Sequence, residues 1–151
     1  MLKQLIILSI FIFFSVSGAF AQISKEDAIE FKKAQFWAEK GAVRSQFALG
    51  KMYSNGIGVQ KNKAQAAKWY RLAAVQGYVK GQSSLGILYL TGSGVKKNEI
   101  TAHAWIGVAA VNNKRYKESL KAIAAFMSPQ QIAKAEKLTK QCLATNYKNC
   151  P

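Results

Sequence analysis

Residues 49–62, LGKMYSNGIGVQKN, and residues 85–98, LGILYLTGSGVKKN, are nearly the same sequence. The match continues at the same spacing through 45–80 and 81–116, where 14 of 36 positions are identical. About two or three identities would arise by chance from average residue frequencies. The chain therefore contains an internal repeat of two units, which is typical of solenoid architectures.

Each unit predicts a helix, a glycine-containing loop and a second helix. In the first unit, Leu49 and Tyr53 belong to an apolar stripe of helical period, and Gly56 stands where a helix ends in the left-handed conformation. Gly58 is expected to bend the chain back, and Asn62 to cap the next helix. The second unit repeats these features at Leu85, Tyr89, Gly92, Gly94 and Asn98.

The second helix of each unit combines small alanines, which let helix axes approach closely, with an aromatic residue that buries a large area. Trp69, or its neighbour Tyr70, is expected to fill that role in the first unit. The residues that define the two repeats are Leu49, Gly50, Tyr53, Gly56, Gly58, Trp69, Ala73 and Ala74, with Leu85, Gly86, Tyr89, Gly92, Gly94, Trp105, Ala109 and Ala110.

The two Gly-x-Gly loops do not predict a nucleotide site. Lys61 and Lys97 stand where the dinucleotide fingerprint has its third glycine, and each loop follows a predicted helix rather than a strand. We interpret both loops as turns within repeat units.

The flanking segments, at about 24–40 and 114–143, have helical patterns and are predicted to cap the array. Ser24 and Ser128 are candidate N-caps, and Pro129 fits the first position of a helix. No segment alternates with a period of two. The sequence predicts an all-α fold, an α/α solenoid of antiparallel helix pairs spanning 22–151, with repeats at about 45–80 and 81–113.

Residues 1–21 have the composition of a signal peptide. A charged start with Lys3 precedes a run of apolar residues, and Ala19 and Ala21 match a cleavage site before Gln22. The alternative is an uncleaved membrane anchor, although the run is short for a spanning helix. We expect export, with residence in the periplasm or secretion to the outside.

Two cysteines, Cys142 and Cys150, lie close together near the C-terminal end. In an oxidising compartment an even number of cysteines predicts a disulfide. A metal site or a reactive thiol is the alternative, but no histidine or further cysteine lies nearby in the sequence.

The chain is strongly basic, with 22 Lys and Arg against 7 Asp and Glu and a net charge of +15. Loss of Lys3 with the signal would leave +14. Such a charge favours anionic partners. Because export makes nucleic acid an unexpected partner, acidic proteins and anionic envelope components are the candidates, and a merely solubilising role for the lysines is the alternative.

No catalytic, cofactor or metal site is predicted. His103 is the single histidine, and no carboxylate is placed by sequence to orient it as a general base. A position on an ordinary helix surface is the favoured interpretation. Four of the seven acidic residues lie on the first predicted helix and the other three are isolated. Ligand clusters and a Gly-x-Ser-x-Gly motif are missing from the sequence.

Residues 49–77 and 85–110 resemble Sel1-like repeats, which have the pattern Leu-Gly-x-x-Tyr-x-x-Gly-x-Gly-Val followed by a capped helix with Ala, Trp and paired Ala. The resemblance implies a tetratricopeptide-like α/α solenoid that serves as an adaptor for other proteins. It also implies that exported bacterial members often act in the envelope or in contact with host cells. A cysteine-rich branch has been linked to penicillin binding, but neither repeat here contains a cysteine.

In such a fold the first helix of each unit lines the inner surface and would bind a partner, here with a basic character suited to an acidic peptide. Packing of Phe47 and Ile87 against neighbouring helices is the alternative. We therefore predict a non-enzymatic protein-binding module. The alternatives are a wall-associated protein that binds peptidoglycan or modulates a wall enzyme and, more weakly, a penicillin-binding or β-lactamase-like hydrolase. The candidate groove residues are Arg44, Phe47, Lys51, Ser54, Ser83, Ile87 and Leu90.

Overall fold

The structure is a computed structural model that describes residues 24–151, so the predicted signal peptide lies outside the described residues. Within this range the chain forms seven α-helices and one 3-10 turn, and no strand. The elements are α1 (Lys25–Glu39), α2 (Val43–Asn55), α3 (Lys63–Val75), α4 (Val79–Thr91), α5 (Glu99–Asn112), the 3-10 turn Lys114–Tyr116, α6 (Lys117–Ala124) and α7 (Pro129–Ala144).

The two repeat units fold as helix pairs, α2 with α3 and α4 with α5, and α3 packs on α4 to join them. Between the pairs lies a core in which Leu85 and Trp105 have no exposed surface. Tyr70, Ala74 and Leu88 complete the buried centre of this cluster. The predicted all-α solenoid is confirmed.

The loops that join the two helices within each pair begin and end as predicted. Gly56 and Gly92 end their helices in the left-handed conformation, with φ of 79° and 70°. The side chains of Asn62 and Asn98 accept hydrogen bonds from the backbone N–H groups three residues later. Both loops therefore satisfy backbone groups that helix ends leave unpaired.

The second glycine of each loop is a point of contact between units. Gly58 lies against the backbone carbonyl of Asp27 in α1, and Gly94 lies against the backbone of Lys63 at the start of α3. These two partners are separated by 36 residues, as the glycines are. Any larger side chain would push the loop away from the preceding helix.

The aromatic residue that fills the first unit is Tyr70 rather than Trp69. Tyr70 is buried against Gly50, whereas Trp69 is only half-buried. In the second unit Trp105 is fully buried, as the repeat predicts. Of the two residues that the sequence left open, Tyr70 therefore has this role, and the inclusion of Trp69 among the repeat-defining residues was wrong.

The last two helices do not form a third pair. α6 and α7 both pack against α5 but make little contact with each other. Four residues, 125–128, connect them, whereas seven connect the helices of each repeat, and the short connection has no glycine. Ser128 and Gln131 instead form a capping box that starts α7.

The residues after α7 fold back onto the repeats. A disulfide joins Cys142 in α7 to Cys150, with 4.9 Å between the two Cα atoms, which confirms the predicted pairing. Beyond it, the Pro151 carbonyl oxygen accepts hydrogen bonds from Arg71 at 2.7 Å and from the Trp105 indole N–H at 3.0 Å. The tail thus seals the edge of the core between α3 and α5.

Candidate binding surfaces

The residues of the predicted partner groove are only partly accessible. Arg44 and Lys51 are exposed on α2, and Ile87 is 52% exposed on α4. Phe47 and Leu90 are half-buried, Phe47 through contacts with the rings of Tyr70 and Tyr78 and Leu90 through the cluster around Ile106.

Ser54 and Ser83 are buried and make internal hydrogen bonds. The Ser54 hydroxyl accepts from the Lys63 ammonium at 2.7 Å, and the Ser83 hydroxyl donates to the Lys80 carbonyl at 3.1 Å. Burial raises the pKa of the Tyr70 phenol above its ordinary value, and the Ser54 side chain opposes this shift less strongly. These two serines support the helices and do not present their hydroxyls to solvent.

Exposed positions on α2 and α4 repeat with the units, and besides Asn55 and Thr91 at the helix ends two such pairs form a stripe. Arg44 corresponds to Lys80 and Lys51 to Ile87, and all four are exposed. This stripe, which we call the A-face, carries three positive charges and one large aliphatic side chain.

A second surface lies where α6 and α7 diverge over α5. The gap is an open groove of about 820 Å³, here called the α5–α6–α7 groove. Its floor and walls are mostly aliphatic or small side chains. The lining residues are His103, Gly107, Ala110, Val111, Lys114, Lys117, Leu120, Lys121, Ala124, Ile132, Glu136, Thr139, Lys140 and Leu143.

His103 is buried at this groove, so the expectation of an ordinary helix-surface histidine was wrong. Only 4% of the residue is exposed, and its Nδ1 atom has no hydrogen-bond partner among the described residues. Burial lowers the pKa of His103 below 6.5, and the Glu136 carboxylate opposes that shift less strongly. A buried polar atom without a partner costs about 1–3 kcal/mol.

The sequence contained a signal for this burial. His103 replaces the first unit's Ala67, which is itself buried. The repeat alignment therefore places an imidazole at an interior position of the array. No group of three or more potential metal ligands occurs in residues 24–151.

Within residues 24–151, no helix has the length and apolar character needed to cross a membrane.

Comparison with known proteins identifies the repeat. The sequence model of the Sel1 repeat matches residues 43–78 and 79–110. A search of curated proteins gives no significant match.

Two solved structures have a similar fold. One is c5321, a protective antigen present in uropathogenic Escherichia coli strains and displaying an SLR fold, with 31% identity over 80% of this chain and a TM-score of 0.73. The other is a Sel1 repeat protein from Oxalobacter formigenes, with 25% identity over 82% of this chain and a TM-score of 0.62. The chain spans only 28% and 59% of the lengths of these two proteins.

Proposed function

We propose that this chain, which carries two Sel1 repeats in an α/α solenoid, is a non-enzymatic scaffold that binds a protein partner through the A-face. Proteins with Sel1 repeats are generally interaction scaffolds. The observation that carries the proposal is the recurrence of exposed, mainly basic side chains at equivalent positions of α2 and α4. Such a surface suits an acidic segment that also offers an apolar side chain to Ile87.

The place of action that we propose is the bacterial envelope or the exterior. This proposal rests on the signal-like pattern of residues 1–21 and on the cysteine pair, since disulfides persist in oxidising compartments.

A photo-crosslinking amino acid at position 87 tests the proposed surface in living cells. We expect a discrete crosslinked protein from position 87 and none from position 72, because Leu72 is similarly exposed but lies on α3 outside the A-face. Equal products from both positions, or none from position 87, would contradict the proposal.

Charge reversal provides the matched control. Arg44→Glu with Lys51→Glu should reduce the crosslink at position 87 about tenfold, because two favourable pairings become repulsive. Lys61→Glu with Lys68→Glu changes the net charge equally on other exposed positions and should leave the crosslink intact.

A second candidate is binding to an anionic wall polymer, which the net charge of +15 favours. In that case purified wall material would sediment the protein, and the two pairs of charge reversals would weaken sedimentation equally. A specific protein partner predicts loss only in the A-face variant.

A further inference from the structure

The α5–α6–α7 groove has the size and lining of a small-molecule site. Its floor is formed by Gly107 and Ala110, and aliphatic side chains of Leu120, Ile132 and Leu143 stand around it. Its volume of about 820 Å³ falls within the range of about 300–1,000 Å³ that is usual for ligand sites. An apolar chain laid on this floor would be removed from water.

The charged side chains of the groove favour an anion. Four exposed lysines contribute to the lining, Lys114, Lys117, Lys121 and Lys140, against one carboxylate, Glu136. Lys121 also pairs with Glu118, at 3.0 Å. The remaining excess of positive charge surrounds an apolar floor, which is the arrangement that an amphiphilic anion requires.

Nδ1 of His103 is the second, independent feature that points to a ligand. It is a buried polar atom of a residue that lines the groove, and it has no hydrogen-bond partner within residues 24–151. Imidazole can carry its proton on either nitrogen. Nδ1 has almost no accessible surface, so a ligand reaches it only if the side chains that cover it move. With the proton on Nδ1, His103 would then donate to a carboxylate oxygen whose charge the lysines balance.

We propose that the α5–α6–α7 groove binds a free long-chain carboxylate, with its aliphatic chain over Gly107 and Ala110 and its head group held by His103 and the lysines. This site is separate from the A-face and does not depend on the proposed protein partner.

Calorimetric titration with dodecanoate, below its micelle concentration, tests the site. We expect one dodecanoate per chain and binding at least tenfold weaker for dodecanol, which has the chain but no charge. Equal affinity for the two ligands, or no saturable binding of dodecanoate, would overturn the proposal.

Variants locate the binding. Lys117→Glu with Lys140→Glu should weaken dodecanoate binding at least tenfold, while Lys61→Glu with Lys68→Glu, outside the groove, should not change it. Ala124→Phe places a ring in the groove from the half-buried face of α6 and should abolish binding. Unchanged binding in both groove variants would overturn the assignment.

A bilayer is the competing occupant, because Phe126 beside the groove is 87% exposed. In an NMR titration, dodecanoate should shift the imidazole nitrogen signals of His103, whereas dodecanol should not shift the Nδ1 signal. Binding to anionic phosphatidylglycerol vesicles that Ala124→Phe leaves unchanged, with no dodecanoate effect on His103, would assign the surface to membranes and overturn the proposal.

Discussion

At the scale of single residues, His103 places a polar side chain at a repeat position that is apolar in the first unit. The first unit has Ala67 there, which packs without polar groups. In the second unit the imidazole is buried beside α7, and Nδ1 has no partner in the part of the chain that the structure describes. Neutral histidine is favoured in this environment because burial penalises the charged form.

This environment predicts a pH-dependent stability. The folded state holds the His103 pKa below the unfolded value of 6.5, so between these two values the unfolded chain binds more protons. The free energy of unfolding should therefore fall as the pH is lowered through 6.5 towards the folded pKa. Urea unfolding at pH 7.5 and pH 5.5 measures the loss.

His103→Leu separates this contribution from that of other groups. The variant should be equal to the wild type or up to about 2 kcal/mol more stable at pH 7.5, because an unpaired polar atom is removed. It should also lose less stability between the two pH values. An identical pH dependence in both proteins would contradict the assignment.

At the scale of elements, the loop between paired helices decides whether a pair closes. The seven-residue loops use two left-handed glycines, one to end a helix and one to contact the preceding unit. The connection at 125–128 has neither, and α6 and α7 diverge. The α5–α6–α7 groove follows from that difference.

Gly94→Ala tests the contact between units. The φ of 73° costs an alanine about 1–2 kcal/mol. The collision of its Cβ with the backbone of Lys63 should add about 1–3 kcal/mol, because the loop must move. Chemical unfolding measures the total.

Gly41→Ala is the matched control. Gly41 has a φ of 88°, but no neighbouring atom of residues 24–151 lies within 4 Å of the added Cβ. The free energy of unfolding of this variant should therefore fall only by the conformational cost of placing alanine at a positive φ. Equal losses at positions 41 and 94 would mean that Gly94 is not a packing contact.

At the scale of the whole molecule, the segment after α7 packs against both repeats. The disulfide holds Cys150 against the core cluster, and hydrogen bonds from Arg71 and Trp105 reach Pro151. Arg71 also donates to the Tyr89 hydroxyl. Residues far apart in sequence thereby join both repeats to the tail.

Cys150→Ala should reduce the free energy of unfolding by about 2–3 kcal/mol, the entropic contribution expected for a short closed loop. Release of the tail should also expose the Trp105 indole and shift tryptophan fluorescence to longer wavelength. Reduction of the wild type with dithiothreitol should reproduce both effects. A reduced protein with unchanged stability and fluorescence would show that the tail is held without the disulfide.

The sequence alone determined the helices, their caps and the repeat, because these depend on local signals. Glycines at helix ends, asparagine caps and a 36-residue period specify each unit without reference to distant residues. It also placed the disulfide, since the two cysteines had no other partner. The A-face remains a prediction, supported by the exposure of Arg44, Lys51 and Ile87.

Only the tertiary structure decided which side chains are accessible and where a cavity forms. The choice of Tyr70 over Trp69, and the burial of Ser54 and Ser83, depend on how each helix is rotated against its neighbours. The position of the α5–α6–α7 groove depends on how α6 and α7 each pack against α5. Such packing is settled between residues distant in sequence, for which a local pattern carries no information.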